Sequence, residues 1–316
     1  MRFLFIIDPP DEIKAYKDTT VCMMRAAQAR GHTVAACEQT SLAWRGGAVS
    51  AEALRIALAD NDEDWYRPLG RERAPLADFD AVLMRKDPPF DMEYVASTWL
   101  LGEAERQGAR VFNRPAALRD HNEKFAIAEF ARYTVPSLVA RDMAALQAFI
   151  EEQRDVVLKR LDGMGGASIF RVRADDPNRN VIVETMLGGD ARSVMAQRFI
   201  PEIREGDKRV ILIDGVPVPH VLARVPRPGE SRGNLAVGAR GIALPLGRRE
   251  REIAGAMGPA LAARGLLVVG LDVIGDWLTE VNVTSPTCFR EIQDQTGFDV
   301  AGMFLEALER KLATPR

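Results

Sequence analysis

Apolar residues in the first third of the chain fall into short continuous runs separated by amphipathic stretches. Residues 3–7, Phe-Leu-Phe-Ile-Ile, form an unbroken apolar run, the pattern of a strand covered on both faces. Asp18-Thr19-Thr20 offers a helix N-cap, and the helix it opens is expected to reach Arg30 and stop at Gly31. A second strand is expected over 33–37 and a third over 79–84. A helix over 92–107, ended by Gly108, leads to a fourth strand at 110–113, closed by Arg114-Pro115. Alternation of this kind predicts an open parallel sheet. Residues 40–78 show weak periodicity and receive no assignment.

From Lys124 the pattern changes. A short helix is expected over 124–132, a strand over 135–139, a helix over 142–152 and a strand over 155–159. Residues 168–172 then read as a strand returning antiparallel. Asp214-Gly215 and Gly275-Asp276 are turn dipeptides and predict two further hairpins. A linker between the two patterns is expected near 114–123. Residues 225–241 hold four glycines, two prolines and three arginines without periodicity. A structureless stretch of that length inside a compact domain is often a lid. No internal repeat or low-complexity segment is evident.

Composition narrows the function classes. The chain has 316 residues, 47% hydrophobic and 28% charged, enough for two or three domains with substantial cores. A formal net charge of −3 supplies no basic field for a nucleic-acid backbone. No apolar run approaches the roughly 18 residues of a membrane span, and the opening run stops at Asp8-Pro9-Pro10, too short for a secretory core. Cys22, Cys37 and Cys288 are odd in number and far apart, which suits a reducing cytoplasm. Three histidines and no Cys-x-x-Cys argue against a zinc cluster.

Three constellations can carry chemistry. The first is the glycine-rich segment Asp162 to Ser168, where backbone N–H groups can approach phosphate oxygens without side-chain obstruction. It lacks the Lys-Ser or Lys-Thr of a Walker loop and joins two strands, so a plain hairpin tip is the alternative. Lys159 closes the strand before it and Lys124 heads the preceding helix, where each offers a point cation to a phosphate. A solvated surface lysine is the competing account.

The second lies at 266–282. Glu280 and Asn282 are two apart on an expected strand, so both side chains leave one face, and Asp272 sits on the partner strand. Two carboxylates and an amide carbonyl make a hard-oxygen set for Mg²⁺, with nucleotide phosphates and water completing the octahedron. A salt bridge to a nearby arginine is the alternative. The third is a set of loop arginines, Arg85, Arg209, Arg224, Arg232 and Arg290, suited to an acidic peptide because guanidinium binds carboxylate bidentately.

Taken together these residues resemble the prokaryotic glutathione synthetase family. The resemblance rests on Met-Arg-Lys-Asp-Pro-Pro-Phe-Asp at 84–91 and Leu-Asp-Gly-Met-Gly-Gly-Ala-Ser-Ile-Phe at 161–170. It continues in Arg-Gly-Asn-Leu-Ala at 232–236 and Thr-Glu-Val-Asn-Val-Thr-Ser-Pro-Thr at 279–287. It implies an α/β chain: a Rossmann-like N-terminal domain over 1–122, then an ATP-grasp module of two α+β subdomains. These would span 123–200, with the glycine loop, and 201–316, with the metal site and a mobile loop at 225–241.

The implied reaction is ATP-dependent ligation of γ-glutamylcysteine and glycine to glutathione through an acyl phosphate. ATP would contact Lys124, Lys159, the loop Gly163, Met164, Gly165, Gly166, Ala167, Ser168, Ile169 and Phe170, the segment Gln197, Phe199, Ile200 and Pro201, and Asp207. Arg224, Arg209 and Arg232 would be catalytic, Arg224 stabilising the oxyanion. Arg85, Asp87, Arg224, Asn234, Ser285, Thr287 and Arg290 would bind substrate. Asp272, Glu280 and Asn282 would hold Mg²⁺, with Mn²⁺ a substitute. The family also implies a cytoplasmic homotetramer without membrane or nucleic-acid partners. A sister ligase acting on a peptide or protein end, or a synapsin-like nucleotide-binding protein without turnover, would share the glycine loop, lysines and Glu-x-Asn.

Overall fold

Three sheets organise the chain, and the computed structural model describes residues 1–189, 191–230 and 232–314 of it. Asp190, in the expected second domain, Ser231, in the expected lid, and Pro315 and Arg316, at the expected C-terminal end, lie outside the described residues.

The first sheet is built from β1 (Arg2–Ile7), α1 (Thr19–Ala29), β2 (Thr33–Glu38), β3 (Ala43–Arg45), β4 (Ala48–Leu58), β5 (Tyr66–Pro75), β6 (Ala81–Met84), α2 (Met92–Arg106) and β7 (Val111–Phe112). β1 pairs parallel with β2 and β6, and β6 with β7. The Asp18 carboxylate accepts the Val21 N–H at 2.7 Å and caps α1. Here the all-parallel expectation is corrected. β3, β4 and β5 are antiparallel, and β4 joins β2, giving the order β3-β4-β2-β1-β6-β7 with β5 on β4. β5 is exposed along most of its length and β4 carries a bulge at Arg55/Ile56, so neither strand shows a clean two-residue alternation.

The expected linker at 114–123 instead contains a helix, α3 (Pro115–Asp120), with Pro115 in its first turn, where a missing N–H costs nothing. A 3₁₀ segment, Phe125–Tyr133, leads to the second sheet. Its elements are β8 (Ser137–Ala140), α4 (Met143–Gln153), β9 (Asp155–Arg160), β10 (Ile169–Arg173), α5 (Arg179–Leu187) and β11 (Val194–Arg198). The order is β10-β9-β11-β8, antiparallel throughout, with β10 returning against β9 as the pattern predicts. Leu146, Ile150, Val156, Leu158, Val183 and Met186 pack its helices onto one face.

The third sheet comprises β12 (Asp207–Ile213), β13 (Val216–Val225), β14 (Arg240–Pro245), α6 (Arg248–Ala263), β15 (Val268–Ile274), β16 (Trp277–Asn282), α7 (Phe289–Thr296) and α8 (Val300–Ala313). Its order is β14-β13-β12-β15-β16, all antiparallel. The Asp214-Gly215 turn puts both residues at positive φ, the geometry that matches strand twist in a tight hairpin. Gly215 cannot change, because a Cβ there would lie 2.6 Å from the Gly258 carbonyl oxygen. The first and third sheets share apolar clusters: Leu4, Val82 and Met84 with Val269 and Leu271, and Phe3 and Phe5 with Ile211 and Phe304. Asn113 pins the two together. Its Nδ2 donates to Val268 O at 2.8 Å and Val283 O at 2.7 Å, and its Oδ1 accepts from Val268 N at 3.0 Å.

Candidate functional site

Strand register alone assembles the polar face of the site. On the third sheet Asp207 pairs with Arg224, Arg209 with Asp272, Asp272 with Glu280, and Gly270 with Asn282. Cross-strand partners share a face and so do residues two apart. Asp207, Arg209, Arg224, Asp272, Glu280 and Asn282 therefore leave one face together. That face and the second sheet enclose a cavity of about 250 Å³.

The charges on this face are buried and paired. Arg209 Nε lies 2.6 Å from Asp272 Oδ1, and its Nη2 donates to Oδ2 at 3.2 Å. Arg224 Nη2 lies 2.6 Å from Asp207 Oδ2 and 3.0 Å from Asp272 Oδ2, yet no hydrogen-bond partner among the described residues is aligned with it. Burial alone would raise the Asp272 pKa, but Arg209 and Arg224 outweigh it and hold the carboxyl below the ordinary range. Burial wins at Asp207 and pushes it up to about 6, against Arg224. Asp207 Oδ1 is buried with no partner among the described residues.

Opposite this face are the lysines. Lys159 donates to Gln197 Oε1 at 2.7 Å, and burial lowers its pKa. Lys124 contacts Gly163 O and lies 3.2 Å from Glu280 Oε1. Burial opposes its charge, but Glu280 and Glu123 more than offset that and raise its pKa. The glycine loop needs its glycines: Gly165 and Gly166 stand at φ +60° and +84°. A Cβ at Gly166 would fall 2.7 Å from Asn234 Oδ1, and Arg232 Nη1 donates to Gly166 O at 3.2 Å. Residues 232–236 thus rest on the glycine loop.

Most of the sequence-derived site residues line this one cavity: Asp87, Lys124, Lys159, Gly163 to Ala167, Ile169, Gln197, Phe199, Ile200, Asp207, Arg209, Arg224, Arg232, Asn234, Asp272, Glu280, Asn282, Ser285 and Thr287. Five lie elsewhere. Arg85 is buried in the seam between the first and third sheets, where Nε donates to Thr20 Oγ1 at 3.1 Å and Nη2 to Pro286 O at 2.9 Å. Arg290 pairs with Asp294 at 2.9 Å and Asp62 at 3.4 Å. Ser168, Phe170 and Pro201 flank the cavity segments without lining it.

Sequence reading missed Glu123, Thr279, Thr284 and Cys288, which also line the cavity. Glu123 Oε1 accepts from Val283 N at 2.8 Å, Thr284 N at 2.9 Å and Thr284 Oγ1 at 2.8 Å, fixing the chain beyond β16. Burial and Glu280 raise its pKa. Its place next to Lys124 was the available signal.

Among the described residues no three His, Cys, Asp or Glu side chains converge as a metal cage. What converges is two carboxylates and one amide. Asn282 commits its amide nitrogen to Gly270 O at 3.2 Å, leaving its oxygen as the end available to a cation. This donor chemistry fits a hard divalent ion that takes its remaining ligands from phosphate and water.

The architecture recurs in solved structures. D-cycloserine synthetase DcsG superposes with a TM-score of 0.70 at 16% identity, covering 99% of this chain and 100% of that one. The ATP-grasp ligase PsnB, complexed with precursor peptide PsnA2 and AMPPNP, superposes with a TM-score of 0.62 at 19% identity, covering 98% of each. Fold, site and the match of residues 123–297 to an ATP-grasp domain model together define an ATP-grasp protein. Residues 1–119 match the family model "prokaryotic glutathione synthetase, N-terminal domain", and residues 123–297 match "prokaryotic glutathione synthetase, ATP-grasp domain". The chain is 60% identical to glutathione synthetase of Ralstonia nicotianae, covering 98% of this chain and 96% of the relative. It is 48% identical to that of Pseudomonas aeruginosa, covering 99% of each. The chain belongs to the prokaryotic glutathione synthetase family.

Proposed function

We propose that this protein joins γ-glutamylcysteine to glycine at the expense of ATP, giving glutathione, ADP and phosphate. The observation that carries the reading is a cavity in which a glycine loop and two lysines face a sheet bearing three carboxylates and two guanidiniums. Near-full-length identity to relatives named for this enzyme points the same way. The glycine-loop N–H groups with Lys124 and Lys159 hold the phosphates. Val157, Ile200, Ile203 and Ile274 supply an apolar slot for adenine, and the partnerless Asp207 Oδ1 is an acceptor for a ribose hydroxyl. Asp272, Glu280 and Asn282 would hold Mg²⁺, or Mn²⁺ in its place, whose charge stabilises the phosphates when bound.

The substrate carboxylate oxygen attacks the γ-phosphorus and ADP leaves, so the nucleophile belongs to the substrate. The glycine amine then attacks the acyl phosphate, the C–N bond forms and phosphate departs. Arg224, assisted by Arg209, faces the developing oxyanion, and Arg232 with Asn234 closes residues 225–241 over the glycine loop to exclude water. In this reading the protein acts in a reducing cytoplasm, in keeping with three buried free cysteines, and as a homotetramer, as the family resemblance implies. The test is ADP release with Mg²⁺ and ATP. It should require both γ-glutamylcysteine and glycine, and release with neither, or with an unrelated peptide alone, would discard the assignment.

A further inference from the structure

We propose that Asp272 is an internal counter-ion for Arg209 and Arg224. The anion site these guanidiniums offer the acidic dipeptide then opens only when a metal–nucleotide claims the carboxylates of Asp272 and Glu280. This rests on the functional reading above and goes beyond it, because it fixes an order of binding and a coupling between two substrates.

The argument starts from charge balance. Two carboxylates, Asp207 and Asp272, face two guanidiniums, Arg209 and Arg224, in one cluster whose carboxylate–guanidinium contacts run from 2.6 to 3.2 Å. The Asp272 and Arg224 side chains are each 4% exposed and Arg209 is 7% exposed. Such a cluster is neutral, and an arriving carboxylate would meet cations whose attraction is already spent on internal partners. A divalent cation drawn to Asp272 changes this. It takes the carboxylate oxygens for itself, and the guanidiniums become a net positive pair facing the cavity.

Lys124 and Glu280, 3.2 Å apart, are a second pair that reaches across the cavity, so one ion at the two carboxylates frees Lys124 and Arg209 and leaves Arg224 with Asp207 alone. Arg224 is shared between the two carboxylates: its Nη2 lies 2.6 Å from Asp207 Oδ2 and 3.0 Å from Asp272 Oδ2, while its Nε donates to Asp207 O at 3.2 Å. The donors that could keep a metal site shut are therefore the same groups that the reaction later needs.

Coupling of this kind is reciprocal: each ligand must tighten the other by the same factor. Calorimetric titration of the full-length protein with γ-glutamylcysteine tests it without turnover. With Mg²⁺ and a non-hydrolysable ATP analogue present, the dipeptide should bind about ten- to a hundredfold tighter than with the analogue in EDTA. The EDTA arm keeps any closure driven by nucleotide alone, so an equal affinity in both arms overturns the exchange. Asp272→Asn should gain affinity for the dipeptide in EDTA relative to wild type while losing turnover. A folded Asp272→Asn protein, verified by its melting curve, that gains nothing also overturns it. Should the variant fail to fold, the two wild-type arms decide alone. Dipeptide binding in no arm at all would instead remove the functional reading, and this inference with it.

Discussion

Burying a carboxylate requires a donor or a cation to face it, and Asp18 shows what happens when the compensation is incomplete. It caps α1 through Val21, yet burial pushes its pKa above the ordinary 3.8, the Val21 N–H and Arg85 pulling the other way. A raised folded-state value means that the native protein holds the proton more tightly than the unfolded chain does. The contribution is fully present below 3.8 and is lost as pH rises through the raised value. Asparagine accepts the same N–H without a charge and caps comparably. Asp18→Asn is therefore expected to melt above wild type at neutral pH, with the gap closing as pH falls toward about 4. A gap that stays constant across this range in scanning calorimetry would assign the effect to something other than ionisation. The same residue-level chemistry was partly legible in sequence. Glu280 and Asn282 declare a shared face by their spacing. The arginines on Asp272 do not, because Arg209 lies 63 residues away and meets it only through the register of β12 against β15.

Elements with a covered face and a turn signal were readable, and those without one were not. β9, β10, β15 and β16 carry apolar residues at their buried positions and are joined in pairs by glycine turns, so their hairpins follow from pattern. β5 presents residues such as Arg67, Arg71 and Arg73 to solvent and has almost no core face to betray it. The loop expected at 225–241 was legible by length, but its bounds were too wide: Val225 ends β13, Arg240 and Gly241 open β14, and Leu235–Val237 forms a 3₁₀ turn within it. The structure adds what it touches: Arg232 reaches Gly166 O, Asn234 fills the space where a Gly166 side chain would stand, and Arg227 Nε donates to Gly238 O at 2.6 Å. Apart from buried Gly233, the described residues between β13 and β14 are half-buried or exposed, and segments held that way open locally at low cost. Trypsin should therefore cut the free protein after Arg232, Arg227 being protected by Pro228, and an ATP analogue with Mg²⁺ and γ-glutamylcysteine should suppress the cut several-fold. Equal cleavage rates in the two states would show that the loop does not close on ligands.

On the scale of the molecule, the site depends on a seam that no local pattern announces. The strand-end segment at 282–287 belongs to the third sheet, and its Ser285 and Thr287 line the cavity. It is anchored from the first sheet by Asn113 at Val283 O and by Arg85 at Pro286 O. Arg85 was expected from sequence to grip the dipeptide because it leaves a parallel strand end, where ligands gather. It does leave that end, but a neighbouring part of the same chain occupies its guanidinium. Asn113→Ala would strand Val268 N, Val268 O and Val283 O in the core, and Arg85→Ala would strand Pro286 O. Each buried group left unsatisfied costs about 1–3 kcal/mol, so both variants should unfold at clearly lower denaturant, Asn113→Ala by the larger margin. The ATP contacts proposed above, the glycine loop, the two lysines and Asp207, lie outside 283–287, so the Michaelis constant for ATP should stay within about twofold in either variant, a change below about 0.4 kcal/mol. Loosening 282–287 should still slow turnover, because Ser285 and Thr287 move with it. The decisive comparison is Arg85→Ala at full γ-glutamylcysteine saturation. If its stability matches wild type and only the Michaelis constant for the dipeptide rises, Arg85 is a substrate ligand after all, and the seam is held by the apolar clusters and Asn113 without it.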